Sequence, residues 1–202
     1  MSPPGTFERV YAALKQRLRD GAYKPGERLE PGALAEELNA SVTPVRDALH
    51  RLTGEGLVEA PRHEGFRVAM LTETTLRHLY RWHLDLLLLA IVKQGGESLA
   101  LHPLGGSSSG ASIDDRRAAL FEALAQSVGN PEYVSAFQAL SQRLEAVRAI
   151  EDLFLDHTEA ETMEISDALR ANDRRRLRRS LVRYHRRRER IVPEIVAKLL
   201  HG

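Results

Sequence analysis

Residues 41–50 read Ser-Val-Thr-Pro-Val-Arg-Asp-Ala-Leu-His, a set of side chains suited to holding a partner rather than to breaking bonds. Arginine offers planar, permanently charged N–H donors that match paired acceptors. Serine and threonine hydroxyls near a helix start lie beside amides that lack intrahelical partners. The residues of covalent chemistry show no such arrangement. There is no cysteine, no Gly-x-Ser-x-Gly, no phosphate-cradling glycine loop and no His-Glu-x-x-His. Glu122, His157, Glu161 and His185 have no spacing that assembles a general acid with a base, so no enzyme is expected.

The elements that position this stretch can be read from spacing. Phe7, Val10, Tyr11, Leu14 and Leu18 predict a first helix that stops at Gly21. A turn centred on Pro25 and Gly26 follows, then a short helix from Pro31 carrying Leu34, Ala35 and Leu38, with Asn39 suited to the left-handed residue that ends it. Ser41 is expected to cap a third helix with its hydroxyl, and Pro44 falls in the first turn, where a missing N–H is harmless. Val45, Ala48, Leu49 and Leu52 form the buried stripe of that helix, which leaves Val42, Arg46 and His50 on an outward face. After Gly56 the period changes, and "LVEA" and "FRVAM" around "PRHEG" predict a hairpin with Gly65 at its turn. Three short helices and a hairpin make a winged helix-turn-helix.

Beyond residue 70 the pattern is helical throughout, broken at Gly129-Asn130-Pro131, near Asp156–Glu159 and at Ala171-Asn172-Asp173. The segment 95–112 is rich in glycine and serine and is expected to be a flexible connector. The fold class expected is mainly α: a winged helix-turn-helix of three helices plus a β-hairpin wing in residues 1–70, then an all-α helical bundle in residues 71–202. The single Trp82 and the leucines from 86 to 89 are expected in the helix core.

Net charge is only +1, yet eleven arginines lie between Arg170 and Arg190. Such a run invites a nucleic-acid reading, although a solvated helix face is its commoner meaning. No signal peptide and no apolar run long enough to span a bilayer are present, so no membrane partner and a cytoplasmic location are expected.

The stretch "GAYKPGERLEPGALAEELNASVTPVRDALHRLTGEGLV" resembles the head pattern of the GntR transcription regulators. The match runs through Gly21, Pro25, Gly26, Leu29, Leu34, Ala35, Leu38, Ser41, Thr43, Pro44, Val45, Arg46, Ala48, Leu49, Leu52, Gly56, Leu57 and Val58. The remainder resembles the FadR-like branch and its FCD domain through "LFEALAQSVGNP" and "ISDALRANDRRRLRRSLVRYH". The resemblance implies a homodimeric regulator, a repressor in the first instance, that binds a palindromic operator in double-stranded DNA and is modulated by a small-molecule effector. The alternative it leaves open is a constitutive DNA-binding dimer whose FCD-like domain has lost metal and effector binding.

On that resemblance Arg46 is expected to reach guanine in the major groove, with Ser41 and Thr43 on phosphates and Val42 and His50 on the same face. Val42 stands where many relatives carry arginine. Arg62, His63 and Gly65 form the expected wing contact, Glu64 replaces a frequent arginine and would repel phosphates, and Arg28 and Arg51 are minor backbone candidates. The branch's four usual metal ligands fall on Ala118, Glu122, Thr162 and Tyr184, so no cofactor is expected, a rearranged site from Glu122, His157, Glu161 and His185 being the alternative. An effector pocket is expected around His83, Glu122, Thr162, Tyr184 and His185.

Overall fold

The computed structural model describes residues 5–93 and 112–201, and the connector expected over 95–112 falls outside them except for Ser112. The chain divides into two compact units, one of Met1–Thr72 with Val196–Gly202 and one of Glu73–Ile195.

In the first unit, α1 (Thr6–Arg19) ends in a Schellman turn. Gly21 takes φ +70°, its amide donates to the Leu18 carbonyl at 3.3 Å, and the Ala22 amide donates to Arg17 at 3.0 Å. α2 (Pro31–Glu37) follows β1 (Arg28–Leu29), and Asn39 takes the expected left-handed conformation at φ 47°. α3 (Val42–Gly54) buries Val45, Ala48, Leu49 and Leu52 completely against α1 and α2. The core is completed by Val10, Leu14 and Leu18 of α1, Leu34 and Ala35 of α2, and Leu29, Val58 and Phe66 of the sheet.

That sheet departs from the sequence reading. The hairpin β2 (Val58–Glu59) and β3 (Phe66–Val68) pairs Val58 with Val68 and Glu59 with Arg67, but β1 joins it on the other edge, pairing Arg28 with Arg67 and Leu29 with Phe66. The order is β1-β3-β2. Two residues are too short to show an alternating pattern, so "ERL" reads as part of a turn until Leu29 is seen buried beside Phe66. Ser41 stands at the N-cap of α3 as expected, yet its side chain makes no capping bond.

The second unit is helical: α4 (Glu73–Lys93), α5 (Ile113–Gln126), α6 (Pro131–Glu151), α7 (Thr158–Arg170) and α8 (Arg174–Arg190), with α9 (Val192–His201) beginning in it. Its starts are written in capping chemistry. Ser112 and Asp115 form a capping box on α5, Asn130 accepts from the amides of Glu132 and Tyr133 ahead of α6, and Asp173 accepts from the Arg176 amide on α8. α4 packs on α5, α6 and α8, and α7 packs on α5 and α8. Trp82 is not core: it is 52% exposed and Leu89 is 42% exposed. Both sit opposite the buried stripe of Leu76, Leu79, Tyr80, His83, Leu86, Leu87 and Ala90, which takes one face of α4.

Candidate nucleic-acid interface and a buried charged cluster

The outward face of α3 is unobstructed by its own side chains. Val42, Thr43, Arg46 and His50 are all exposed, and Arg46 makes no hydrogen bond or ion pair among the described residues. With Val45, Ala48 and Leu49 fixing the helix on the core, Arg46 stands one turn in from the N-terminus with all five donors free. The uncommitted Ser41 hydroxyl lies at that terminus, next to first-turn amides that favour an anion. His50 is partly tied down, its ring edge-on to Phe66 at 4.9 Å, which links α3 to the wing strand.

At the wing tip Arg62, His63, Glu64 and Gly65 are exposed, with His63 and Gly65 at φ 64° and 79°. Gly65 suits that left-handed turn because it carries no Cβ. Glu64 is less repulsive than its type suggests, since Arg67 pairs with it at 3.6 Å and with Glu59 at 2.9 Å. Arg28 pairs with Glu30 at 2.5 Å. Arg51 is committed inside the head: its guanidinium lies 4.1 Å from the Tyr11 ring and 3.5 Å from Glu55, which also binds Lys15 and the Tyr11 hydroxyl.

In the helical unit the structure gathers His83, Tyr184 and His185 from the expected pocket, and does not bring Glu122 or Thr162 into contact with them. Glu122 is partly exposed on α5 and accepts from Gln126 and Gln138. Thr162 is buried, but its hydroxyl donates to the Thr158 carbonyl of its own helix at 2.8 Å. Among the described residues no three of His, Cys, Asp or Glu are grouped to hold a metal, and His157 is exposed at the left-handed N-cap of α7.

The centre of the cluster is ionic. Arg188, fully buried, donates to Glu151 at 2.6 Å, to Glu161 at 2.8 Å and to the Tyr184 carbonyl at 3.1 Å, and its guanidinium carbon lies 3.3 Å from the Tyr184 ring centre. Tyr80 donates its hydroxyl to Glu151 at 2.7 Å, and Arg187 reaches Glu161 at 3.3 Å. Arg117, also fully buried, bonds Asp114 and sits 4.0 Å from Glu151. Two fully buried arginines, 117 and 188, thus face two buried carboxylates, 151 and 161. Arg117 Nε and Nη1 and Arg188 Nη2 have no hydrogen-bond partner among the described residues.

The two histidines form a relay beside this cluster. His185 Nδ1 lies 2.8 Å from the Leu181 carbonyl, which can only accept, so Nδ1 carries the proton and Nε2 accepts from His83 Nδ1 at 2.8 Å. That leaves His83 Nε2 as a buried lone pair without a partner, its ring packed against Phe121 and Phe137 at 5.3 and 5.1 Å. Burial, then the neighbouring His185 and the nearby arginines, holds His83 well below its ordinary value, and burial with those arginines, against the bond to the Leu181 carbonyl, holds His185 down to about 3. The unfolded chain takes up both protons near pH 6.5, so between pH about 6.5 and about 3 it binds more protons than the fold, and stability falls as pH is lowered through that window. Imidazole NMR of the full chain is expected to show two rings neutral at mildly acidic pH while the melting temperature drops. A His83 or His185 ring titrating near pH 6.5 in the folded protein contradicts this.

Arg117, Arg188, Glu151 and Tyr80 were not singled out from sequence, and Glu161 only as a member of the alternative metal site. Their signal is positional: Arg188 continues the stripe Leu177, Leu181, Tyr184, and Arg117 opens the stripe Leu120, Phe121, Leu124. A charge on the apolar face of a helix is a buried charge, and it needs partners.

The profile described as "Bacterial regulatory proteins, gntR family" matches residues 6–68. The chain is similar to the uncharacterized HTH-type transcriptional regulator YdhC of Bacillus subtilis, 32% identical over 89 residues, which are 44% of this chain and 40% of that protein. It is 43% identical over 58 residues to the Nta operon transcriptional regulator of Aminobacter aminovorans, 29% of this chain and 28% of that one. It is 38% identical over 78 residues to the HTH-type transcriptional regulator McbR of Escherichia coli, 39% and 35% of the two chains. The matched segments therefore span less than half the length of these curated relatives. In fold the likeness is longer. The solved structure of E. coli McbR/YncC superposes with a TM-score of 0.68 at 22% identity, covering 95% of this chain and 99% of that one. A GntR regulator structure from Rhodococcus sp. RHA1 gives 0.73 at 20% identity with the same coverage.

Proposed function

We propose, from the premise that residues 6–68 are a helix-turn-helix domain of the gntR family of bacterial regulatory proteins, that this protein is a DNA-binding transcriptional regulator and not an enzyme. The observation that carries the reading is the unpaired, exposed Arg46 on the outer face of α3, held by a fully buried Val45-Ala48-Leu49 stripe. In the major groove an arginine so placed meets guanine O6 and N7 with two hydrogen bonds. The Ser41 and Thr43 hydroxyls take adjacent phosphates, Val42 meets a thymine methyl, and Arg62, His63 and the Gly65 turn approach the backbone beside the groove.

The protein works in the cytoplasm as a homodimer on a palindrome whose half-sites lie about one helical turn apart, and it acts as a repressor. Its effector is a small anion held in the helical unit by the three unpartnered guanidinium nitrogens of Arg117 and Arg188. One observation supports the constitutive alternative: Arg188 is already bonded to Glu151, Glu161 and a carbonyl, so part of the cluster is complete without a ligand.

Two measurements test the reading. Full-length protein is expected to shift DNA from its own promoter region, and a scrambled duplex only at concentrations about 10³-fold higher or more. A screen of mono- and dicarboxylates and phosphate esters by thermal unfolding is expected to find an anion that stabilises the protein by about 2.7 kcal/mol at a hundred times its dissociation constant. That gain disappears in Arg117→Met. A screen that leaves the melting temperature unmoved assigns the helical unit to dimerisation alone.

A further inference from the structure

We infer that the outer face of α8 is a second, sequence-independent surface for the phosphate backbone of double-stranded DNA. The inference rests on the DNA-binding reading above but concerns residues outside the gntR-type head. Arg175, Arg179, Val182, Arg186 and Arg190 recur at helical spacing and form one row, with Arg178 beside it. All five of these arginines are exposed, and none has a hydrogen bond or ion pair among the described residues. Along the row runs a groove of about 580 Å³ lined by Arg178, Arg179, Val182, Arg183, Arg186 and Arg190, with Arg187 at its side.

The charge is concentrated there and almost nowhere else. α8 contains ten arginines and one glutamate, a sum of +9, so with a chain total of +1 the rest of the sequence carries −8. The one glutamate is turned away, accepting from Arg81 at 3.3 Å while its carbonyl accepts from Arg77. Like charges three and four apart along a helix oppose its formation, and packing does not demand these residues, because they touch no core. A row of unopposed guanidinium groups is the arrangement a polyanion neutralises.

The kind of polyanion follows from what accompanies the charge. A span of fifteen residues is roughly 22 Å of helix, and a duplex presents a charge every ~1.7 Å along its axis, so several phosphates lie within reach of the row. The row holds no aromatic side chain on which unpaired bases would stack. Its only apolar member is Val182, too little to enter a bilayer. A second copy of the chain would offer carboxylates too, exposed Asp47, Asp85, Glu132 and Glu194 among them, so the oligomeric state is read beside the binding. Arginine rather than lysine at every position suits forked contact with phosphate oxygens.

The test is the salt dependence of binding by full-length protein to a random-sequence duplex and to its promoter fragment. The variant carries Arg175→Gln, Arg179→Gln, Arg186→Gln and Arg190→Gln, with its melting temperature and oligomeric state checked. Each lost phosphate contact lowers the slope of log affinity against log salt by about 0.9, so the slope on both duplexes is expected to fall by about 3 to 4, with at least a tenfold loss of affinity at physiological salt. The double variant Arg179→Gln, Arg186→Gln should lose about half of that slope and keeps the test open if the quadruple variant folds poorly. Arg46→Ala is expected to lose preference for the promoter fragment while keeping most of the slope.

An unchanged slope in a folded quadruple variant overturns the inference. So does an unchanged slope accompanied by dissociation into monomers, which would give the row to a second copy, or by loss of binding to phosphatidylglycerol vesicles, which would give it to a membrane. Failure of the head reading shows separately, as equal affinity of the unaltered protein for promoter and random duplex.

Discussion

Replacing Arg188 with alanine is expected to lower the unfolding free energy of the helical unit by about 3–5 kcal/mol, the largest loss of any single exchange considered. Arg188 is 0% exposed and donates to Glu151 Oε2 and to Glu161 Oε2, both carboxylates being themselves buried. Removing it takes from two buried carboxylates their closest cation in a low-dielectric site, leaving Glu151 with the Tyr80 hydroxyl and Arg117 at 4.0 Å and Glu161 with Arg187 at 3.3 Å. Urea unfolding followed by circular dichroism measures the loss. The sign of its pH dependence distinguishes this cause from lost packing. Uncompensated buried carboxylates have raised folded pKa values, so they take up protons as pH falls and the variant recovers part of its deficit in mild acid, where a simple cavity would not. Arg188→Lys keeps the charge but loses the two-armed contact, and is expected to fall between. Substituting Arg188→Met together with Glu151→Leu and Glu161→Leu is expected to restore most of the stability, because an apolar set of similar volume needs no desolvation of charge. If the single alanine variant unfolds within about 1 kcal/mol of the parent, the ionic account of this core fails.

The second large effect is on binding. Arg46→Ala is expected to remove about 1–3 kcal/mol of discrimination per half-site, hence about 30-fold or more over a dimer, without lowering the melting temperature. Stability is spared because Arg46 is exposed and bonds to nothing within the head. Affinity for random duplex should change little, since one phosphate-independent contact leaves the electrostatic part of binding in place. Arg46→Lys retains a point charge but not the fork, and is expected to keep backbone affinity while relaxing the preference for guanine. Val42 adds a complementary expectation. Val42→Arg supplies a second donor on the same exposed face, so a new preference for guanine at the neighbouring base pair should appear in the same titrations.

The head was legible because its positions obey two simple periods and a few obligatory turn residues. The stripe Val45, Ala48, Leu49, Leu52 is completely buried where spacing placed it, and Gly21 and Asn39 take the left-handed conformations their types allow. What spacing missed in the head is β1, whose two residues are held by pairing with β3 rather than by any pattern of their own. The helical unit was legible as helices, since Asn130 and Asp173 mark starts by capping chemistry. Its interior was not. Glu122 and Thr162 were placed in a pocket by resemblance, but Glu122 faces outward to Gln138 and Thr162 is satisfied by its own helix.

The arginine run shows most clearly what one dimension conceals. Between Arg174 and Arg190 the residues alternate between an apolar stripe and a solvated face, and only the turn-by-turn register separates Arg188, buried against Tyr184, from Arg186 and Arg190 in the open groove. The pairs that make Arg188 a core residue come from α6 and α7, 37 and 27 positions away, which no local pattern announces. His83 and His185 are likewise 102 residues apart in sequence and 2.8 Å apart in space.

The account turns on Arg46 and its partners reading a base sequence, and that is tested most directly by selecting bound duplexes from a random-sequence library with the full-length protein. The result expected is enrichment of an inverted repeat whose half-sites lie about one helical turn apart, each holding a guanine whose selection disappears when the same experiment is run with Arg46→Ala. Recovery of no consensus, or of the same consensus by the unaltered protein and by Arg46→Ala, would contradict it.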